Sequence, residues 1–134
     1  MRLLIDTNVF LEVTLEQEKA GEARALLAKT EEHEFFISDY SFHSIGLLLF
    51  RQKRHEDFQL FVKDMMLDAG TIMISLAAED MAAVIEAAQR FNLDFDDAYQ
   101  YATAEKYGLT LVSFDGDFDR TERGRQPPAY ILNG

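Results

Sequence analysis

The chain has no cysteine, no tryptophan, only two prolines and few bases to set against its acids. Without cysteine it has no disulfide framework and no thiolate metal site, and it suits a reducing compartment. Thirteen Lys and Arg face 24 Asp and Glu, a formal net charge of −11. That balance argues against broad electrostatic attraction to nucleic acid. It leaves room for a locally basic groove, or for a substrate reached through a bound cation. The bases gather in two places, Arg51, Lys53 and Arg54 in one and Arg120, Arg123 and Arg125 in the other. Long hydrophobic runs are absent too: the most apolar stretch, Ile45 to Phe50, is far too short to span a bilayer. An acid at position 6 comes too early for a secretory signal. The expectation is a cytoplasmic protein that engages no membrane. With 134 residues and an apolar fraction of 48%, it has enough chain for one core, hence a single domain over residues 1–134.

Strand and helix signals alternate. Arg2 to Ile5 reads as a short apolar strand, and a helix opens at Asn8 behind Asp6 or Thr7 as cap. Glu16 to Thr30 is expected to be helical, with Ala20, Ala23, Leu26 and Leu27 toward the core. Phe35 to Ser38 is a second strand, followed by a helix from about Asp39 capped by Ser38 or Asp39. The end of that helix, Ile45 to Phe50, is apolar all round, so it is either buried on every side or covered by a partner. A homodimer is the expected form of that partner. His55 to Met66 reads as an amphipathic helix, Thr71 to Ser75 as a third strand, and Ala78 to Phe91 as a helix facing the core with Met81, Val84, Ile85 and Ala88. Phe95 to Tyr107 is a further helix ended by Gly108, and Leu109 to Phe114 a fourth strand. Tyr130 to Leu132 is a candidate last strand after Pro127 and Pro128. Strands separated by helices predict an α/β fold, a parallel sheet flanked by helices.

Against this background the aspartates stand out. Asp6 closes Leu3-Leu4-Ile5. Asp96 and Asp97 open a helix. Asp115, Asp117 and Asp119 follow the run Leu109 to Phe114. Loops after parallel strands meet along one edge of an open sheet, where ligands bind. Each acid alone reads more simply as a helix cap or a turn residue, Asp115-Gly116 included. Three segments delivering acids to one edge are harder to explain so. Like charges gathered there repel unless neutralised, and a hard divalent cation with oxygen ligands is the usual neutraliser.

Three segments carry a resemblance: Leu4-Ile5-Asp6-Thr7-Asn8, then Asp97-Ala98-Tyr99-Gln100-Tyr101-Ala102-Thr103-Ala104 through Gly108, then Leu111-Val112-Ser113-Phe114-Asp115-Gly116-Asp117-Phe118. In order, spacing and overall length the chain resembles the PIN-domain nucleases, and among them the VapC-type toxin ribonucleases of toxin–antitoxin pairs. The resemblance implies a PIN-like fold, with a central parallel sheet of four or five strands flanked by helices. It also implies an acid cluster binding Mg²⁺ or Mn²⁺, and hydrolysis of RNA phosphodiester bonds. Carried over, Asp6, Asp97 and Asp115 resemble the catalytic acids. Together with Asp117, the accessory acid, they are the expected metal ligands. Asn8 resembles the residue that orients the first acid, and Ser113 the hydroxyl residue beside the last; Asp96 adjoins the site. One position departs. The family's second acid, usually a glutamate, falls on Ser44, next to His43, and no acid lies between Tyr40 and Arg54. Asp39 is the nearest, more than a turn away. The metal should therefore bind more weakly than in a standard site.

The expected function is a metal-dependent endoribonuclease, the toxin of a toxin–antitoxin pair, with an antitoxin protein as partner and RNA as substrate. Arg51, Lys53, Arg54 and Arg120 are candidate phosphate contacts. The alternative is a PIN-like module that binds RNA or a partner with weakened catalysis, which Ser44 favours. A phosphatase-like hydrolase with Asp6 as nucleophile ranks third, because Asp6-Thr7-Asn8 lacks a second aspartate two residues on. No Ser-His-Asp or cysteine nucleophile is suggested, as His33, His43 and His55 sit in no triad context.

Overall fold

The computed structural model describes residues 1–134. Strand β1 (Arg2–Ile5) leads into α1 (Thr7–Thr14) and α2 (Ala20–Leu27). Then come β2 (Glu34–Ser38), α3 (Asp39–Arg51), α4 (His55–Phe61) with a π-helical turn at Val62–Asp68, and β3 (Ile72–Ile74). Helices α5 (Met81–Phe91) and α6 (Phe95–Tyr107), strand β4 (Thr110–Val112) and helix α7 (Pro128–Asn133) complete the chain. The four strands form one sheet in the order β3-β2-β1-β4, and all three pairings are parallel. With every strand running the same way, the ends of β1, β2 and β4 open on a single edge.

Side-chain alternation along the strands divides the core into two layers. Leu3 and Ile5 of β1, with Phe35 and Ile37 of β2, face α1, α2, α3, α4 and α7. Leu4 and Phe36, between them in register, face α5 and α6 with Leu111 of β4. Both layers are needed because β1 and β2 are buried on both faces; only the edge strand β3 leaves Ile72 and Met73 exposed.

Several expectations change. Tyr130 to Leu132 is not a strand; it lies inside α7. The pairing it was to supply shrinks to one parallel bridge between Val112 and Gln126. Pro127 and Pro128 have no N–H to extend that ladder, and Pro128 instead suits the first turn of a helix. The sheet therefore has four strands. The helix expected over Glu16 to Thr30 shortens to Ala20–Leu27, because Glu16 takes φ 51° and breaks the chain after α1. Its expected core residues, Ala20, Ala23, Leu26 and Leu27, are all buried. Met66 falls in the π-helical turn beyond α4. On α5, Val84 and Ala87 are buried and Ile85 points out. The end of α3 is not buried on every side. Ile45 and Leu49 are in the core, while Leu47 and Phe50 are 42% and 55% exposed. No helix is long and apolar enough to cross a membrane.

Two glycines test this account of the local backbone. Gly21 is exposed in α2 and a methyl group there meets nothing within 4 Å. Gly108 closes α6 with φ 66°, a conformation that disfavours a side chain. Gly21→Ala should stabilise the fold by about 0.5–1 kcal/mol, and Gly108→Ala should destabilise it by about 1 kcal/mol, both read by urea denaturation.

Candidate metal centre

The site grows from the C-terminal edge of the sheet. Asp6 leaves β1 in extended conformation and caps α1 by accepting from its own neighbour, Thr7 N, at 2.9 Å. It is 7% exposed, so its carboxylate needs partners. Gln100 Nε2 donates to Asp6 Oδ1 at 2.8 Å, and Ser113 Oγ donates to Asp6 Oδ2 at 2.7 Å. The surrounding network favours this direction for the bonds. Ser38 Oγ already accepts from Ser41 N, so its single proton goes to Gln100 Oε1 at 2.6 Å, which turns the Gln100 amide nitrogen toward Asp6 and Ser41 Oγ. Ser113 Oγ accepts from Asn8 Nδ2 and Asp115 N, so its proton goes to Asp6. Three donors thus occupy three of roughly four acceptor positions on Asp6. Asn8 does not touch Asp6; it orients Ser113 and, through Oδ1, accepts from Phe114 N at 3.2 Å.

Beside Asp6 the remaining acids converge. Carboxylate oxygens of Asp97, Asp115 and Asp117 all lie within 4.8 Å of one another. Asp97 is placed by the first turn of α6, whose cap is Asp94: Asp94 Oδ1 accepts from Asp97 N at 2.9 Å. Asp115 caps a short 3₁₀ turn by accepting from Asp117 N at 2.8 Å, which fixes the spacing of that pair. Read singly, Asp96 or Asp97 could have served as the cap of α6. The cap is Asp94, which leaves the Asp97 carboxylate free to join the cluster.

The electrostatics follow from this crowding. Burial pushes the Asp97 carboxyl from the usual 3.8 up to about 7, helped by the charges of Asp94, Asp115, Asp6 and Asp117. Burial also raises the Asp6 carboxyl, against the opposing hydrogen bonds of Gln100, Ser113 and Thr7, with Asp115 adding to the rise. A cluster of hard oxygen donors with no cationic side chain at its centre fits Mg²⁺ or Mn²⁺. Arg120 is the nearest base; it pairs with Asp117 at the rim, at 3.6 Å, while donating to the carbonyls of Phe91 and Asn92.

The departure at position 44 has a definite local structure. Ser44 is half-buried on α3 and the Tyr40 hydroxyl reaches toward it and toward Asp96. Burial, with the Asp96 contact and the charges of Asp96 and Asp6, pushes that hydroxyl up to about 12, so it remains protonated. Asp39 does not swing in to replace the missing acid. Its Oδ1 accepts from Tyr99 OH at 2.7 Å and from Tyr40 N at 2.8 Å. His43 is exposed. Of the bases named from sequence, Arg51 ends α3 and Lys53 lies just past it, roughly 15 Å or more along the helix from Ser41. Arg54 pairs with Asp57 at 2.6 Å. Only Arg120 reaches the acids.

The PIN domain family model matches residues 3–124. The chain belongs to the PIN domain family. Solved structures share the PIN fold over nearly the whole chain. A chain of VapBC2 from Rickettsia felis, in a structure bound to a DNA fragment from their promoter, superimposes with a TM-score of 0.76. It is 14% identical and the match covers 94% of this chain and 97% of that one. A toxin–antitoxin complex from Klebsiella pneumoniae gives a TM-score of 0.71 at 22% identity, with the same coverage. VapC20 of Mycobacterium tuberculosis, described as a toxin that cleaves the sarcin–ricin loop, gives 0.71 at 20% identity over 87% of this chain and 92% of that one. Among curated protein sequences, nothing matches. Within this PIN domain the sequence reading missed Gln100, Ser38, Ser41 and Thr7, whose hydroxyl donates to Ser41 Oγ at 2.8 Å. Gln100 is a polar residue inside a run, Ala98 to Ala104, that the fold buries throughout.

The raised carboxyls set a pH dependence. Their folded-state values lie above the ordinary one, so folding takes up protons. For Asp97 the contribution to stability is complete below about pH 4 and is lost as pH rises through about 7; Asp6 adds in the same direction. In EDTA, wild type and Asp97→Asn should melt together near pH 4, and Asp97→Asn should melt higher near pH 8. Added Mn²⁺ should raise the wild-type Tm near pH 8 and leave Asp97→Asn little changed. Thermal melts across pH decide it.

Proposed function

We propose that this PIN domain is a metal-dependent endoribonuclease, the toxin of a toxin–antitoxin pair. The observation that carries the reading is the convergence of Asp97, Asp115 and Asp117 within 4.8 Å beside the buried Asp6. Asp97, Asp115 and Asp117 would hold Mg²⁺ or Mn²⁺, with Asp6 completing the charge from behind. When bound, the cation lowers the pKa of a water and offsets charge that builds on phosphoryl oxygens. The chain's own part is to hold these carboxylates in fixed positions. Thr7 N, Gln100 and Ser113 hold Asp6. Asp94 and the Asp117 N–H fix the backbone on either side of the cluster.

RNA suits an acidic protein of this kind because the phosphate is met through the cation rather than through a basic surface. Arg120, at the rim, is the one candidate phosphate contact beside the acids. Toxin–antitoxin complexes among the structural neighbours support an antitoxin partner. The open face of α3 at Leu47 and Phe50 supports a homodimer. Ser44 favours the second reading, an RNA- or partner-binding module with weakened catalysis.

Labelled RNA with purified protein and Mn²⁺ separates the two. Cleavage should be seen, and should fall on the order of 10²-fold or more in Asp6→Asn and Asp97→Asn. Binding without cleavage, unaffected by Asp6→Asn, would establish the module instead. Ser44→Glu should restore the missing charge and tighten Mn²⁺ binding by roughly ten-fold, since ligand charge sets cation affinity. Titration calorimetry measures it, and no gain would place position 44 outside the cation's reach.

A further inference from the structure

We propose that Phe95 is a stacking platform for an unpaired base of single-stranded RNA, backed by Tyr99 and Tyr40 and carried on the same first turn of α6 as Asp97. The proposal rests on the nuclease reading above and names the form of substrate it takes.

Phe95 opens α6, immediately before Asp96 and two residues before Asp97. It is 59% exposed and belongs to neither core layer. Other apolar residues are as exposed, Leu67 at 72% among them, and a single exposed apolar residue needs no explanation. What distinguishes Phe95 is its support. The Tyr99 ring lies one turn on, with centroids 5.9 Å apart. Tyr99 is itself immobilised: its hydroxyl donates to Asp39 and accepts from Leu76 N at 3.1 Å. Tyr40 packs against Tyr99 at 6.1 Å, and its hydroxyl reaches toward Ser44 and Asp96. The three rings therefore run along the same sheet edge as the acids, from the end of β3 to the position of the absent glutamate. Only Phe95 offers its ring freely to solvent.

With a cation on the acids, the surroundings admit a base. Asp94, Asp96 and Asp97 make this rim acidic, so phosphates are repelled except at the cation. An uncharged aromatic base is not repelled. Stacking is available to any base with a free face, which single strands offer and duplexes do not. A strand whose phosphate meets the acid cluster can lay one of its bases on Phe95.

The chain has no tryptophan, so Phe95→Trp introduces a sole indole whose emission reports stacking directly. Stopped-flow mixing with a single-stranded RNA oligomer in Mn²⁺ reads binding before cleavage. The expected results are saturable quenching by the single strand and none by the matched duplex. In cleavage assays Phe95→Ala should raise KM on the order of ten-fold with kcat little changed, Phe95→Trp should keep the wild-type KM, and Leu67→Ala should change neither. An unchanged KM in Phe95→Ala overturns the proposal. So does equal quenching by duplex, or a Phe95→Ala variant impaired only in binding a protein partner. If the wild type cleaves no RNA, the nuclease reading falls, and the quenching still decides the platform: selective quenching supports it and no quenching overturns it.

Discussion

The structure turns on one buried carboxylate. Asp6 sits at the end of the central strand with almost no access to water, and an ion so placed costs several kcal/mol unless it is bonded. Its donors come from three places far apart in the chain: Thr7 at the start of α1, Gln100 in α6 and Ser113 after β4. Ser38 and Ser41, around the start of α3, set the orientation of Gln100. Satisfying Asp6 therefore ties both flanking layers to the sheet edge. The same ties deliver Asp97, three residues before Gln100, and Asp115, two residues after Ser113. Packing and site are in this sense one arrangement.

The second constraint is repulsion. Asp97, Asp115 and Asp117 gather without a base at their centre, and Arg120 and Arg125 are spent at the periphery. Arg125 pairs with Asp119 and donates to the Ser113 carbonyl, bracing the loop after β4. A fold that tolerates such crowding holds unfavourable charge in reserve, and a divalent cation relieves it. The net charge of −11 leaves the chain short of bases to offset such crowding.

Much of this was legible in the residues. Each acid follows an apolar run or opens a helix, and a parallel sheet brings such positions to one edge. The four strands and the six longer helices lie close to where periodicity put them. The errors have physical causes. Three apolar residues at Tyr130 to Leu132 carry no period of their own, and the prolines before them forbid the pairing a strand needs. Glu16 adopts a left-handed backbone that nothing in its side chain announces. Asp94, not Asp96 or Asp97, caps α6, a choice that a run of acids conceals. The Gln100 network was hidden because it joins residues 38, 41, 6 and 100, a proximity that exists only once the layers close. The fate of Ser44 was likewise invisible, since Tyr40 and Asp39 take up their bonds with groups from α6.

The most direct test of the central claim is a crystal grown or soaked with Mn²⁺ and measured for anomalous scattering. The account predicts a peak bounded by the carboxylates of Asp97, Asp115 and Asp117, on the side of the cluster next to Asp6. An empty cluster at saturating Mn²⁺, or a peak elsewhere on the molecule, would contradict it.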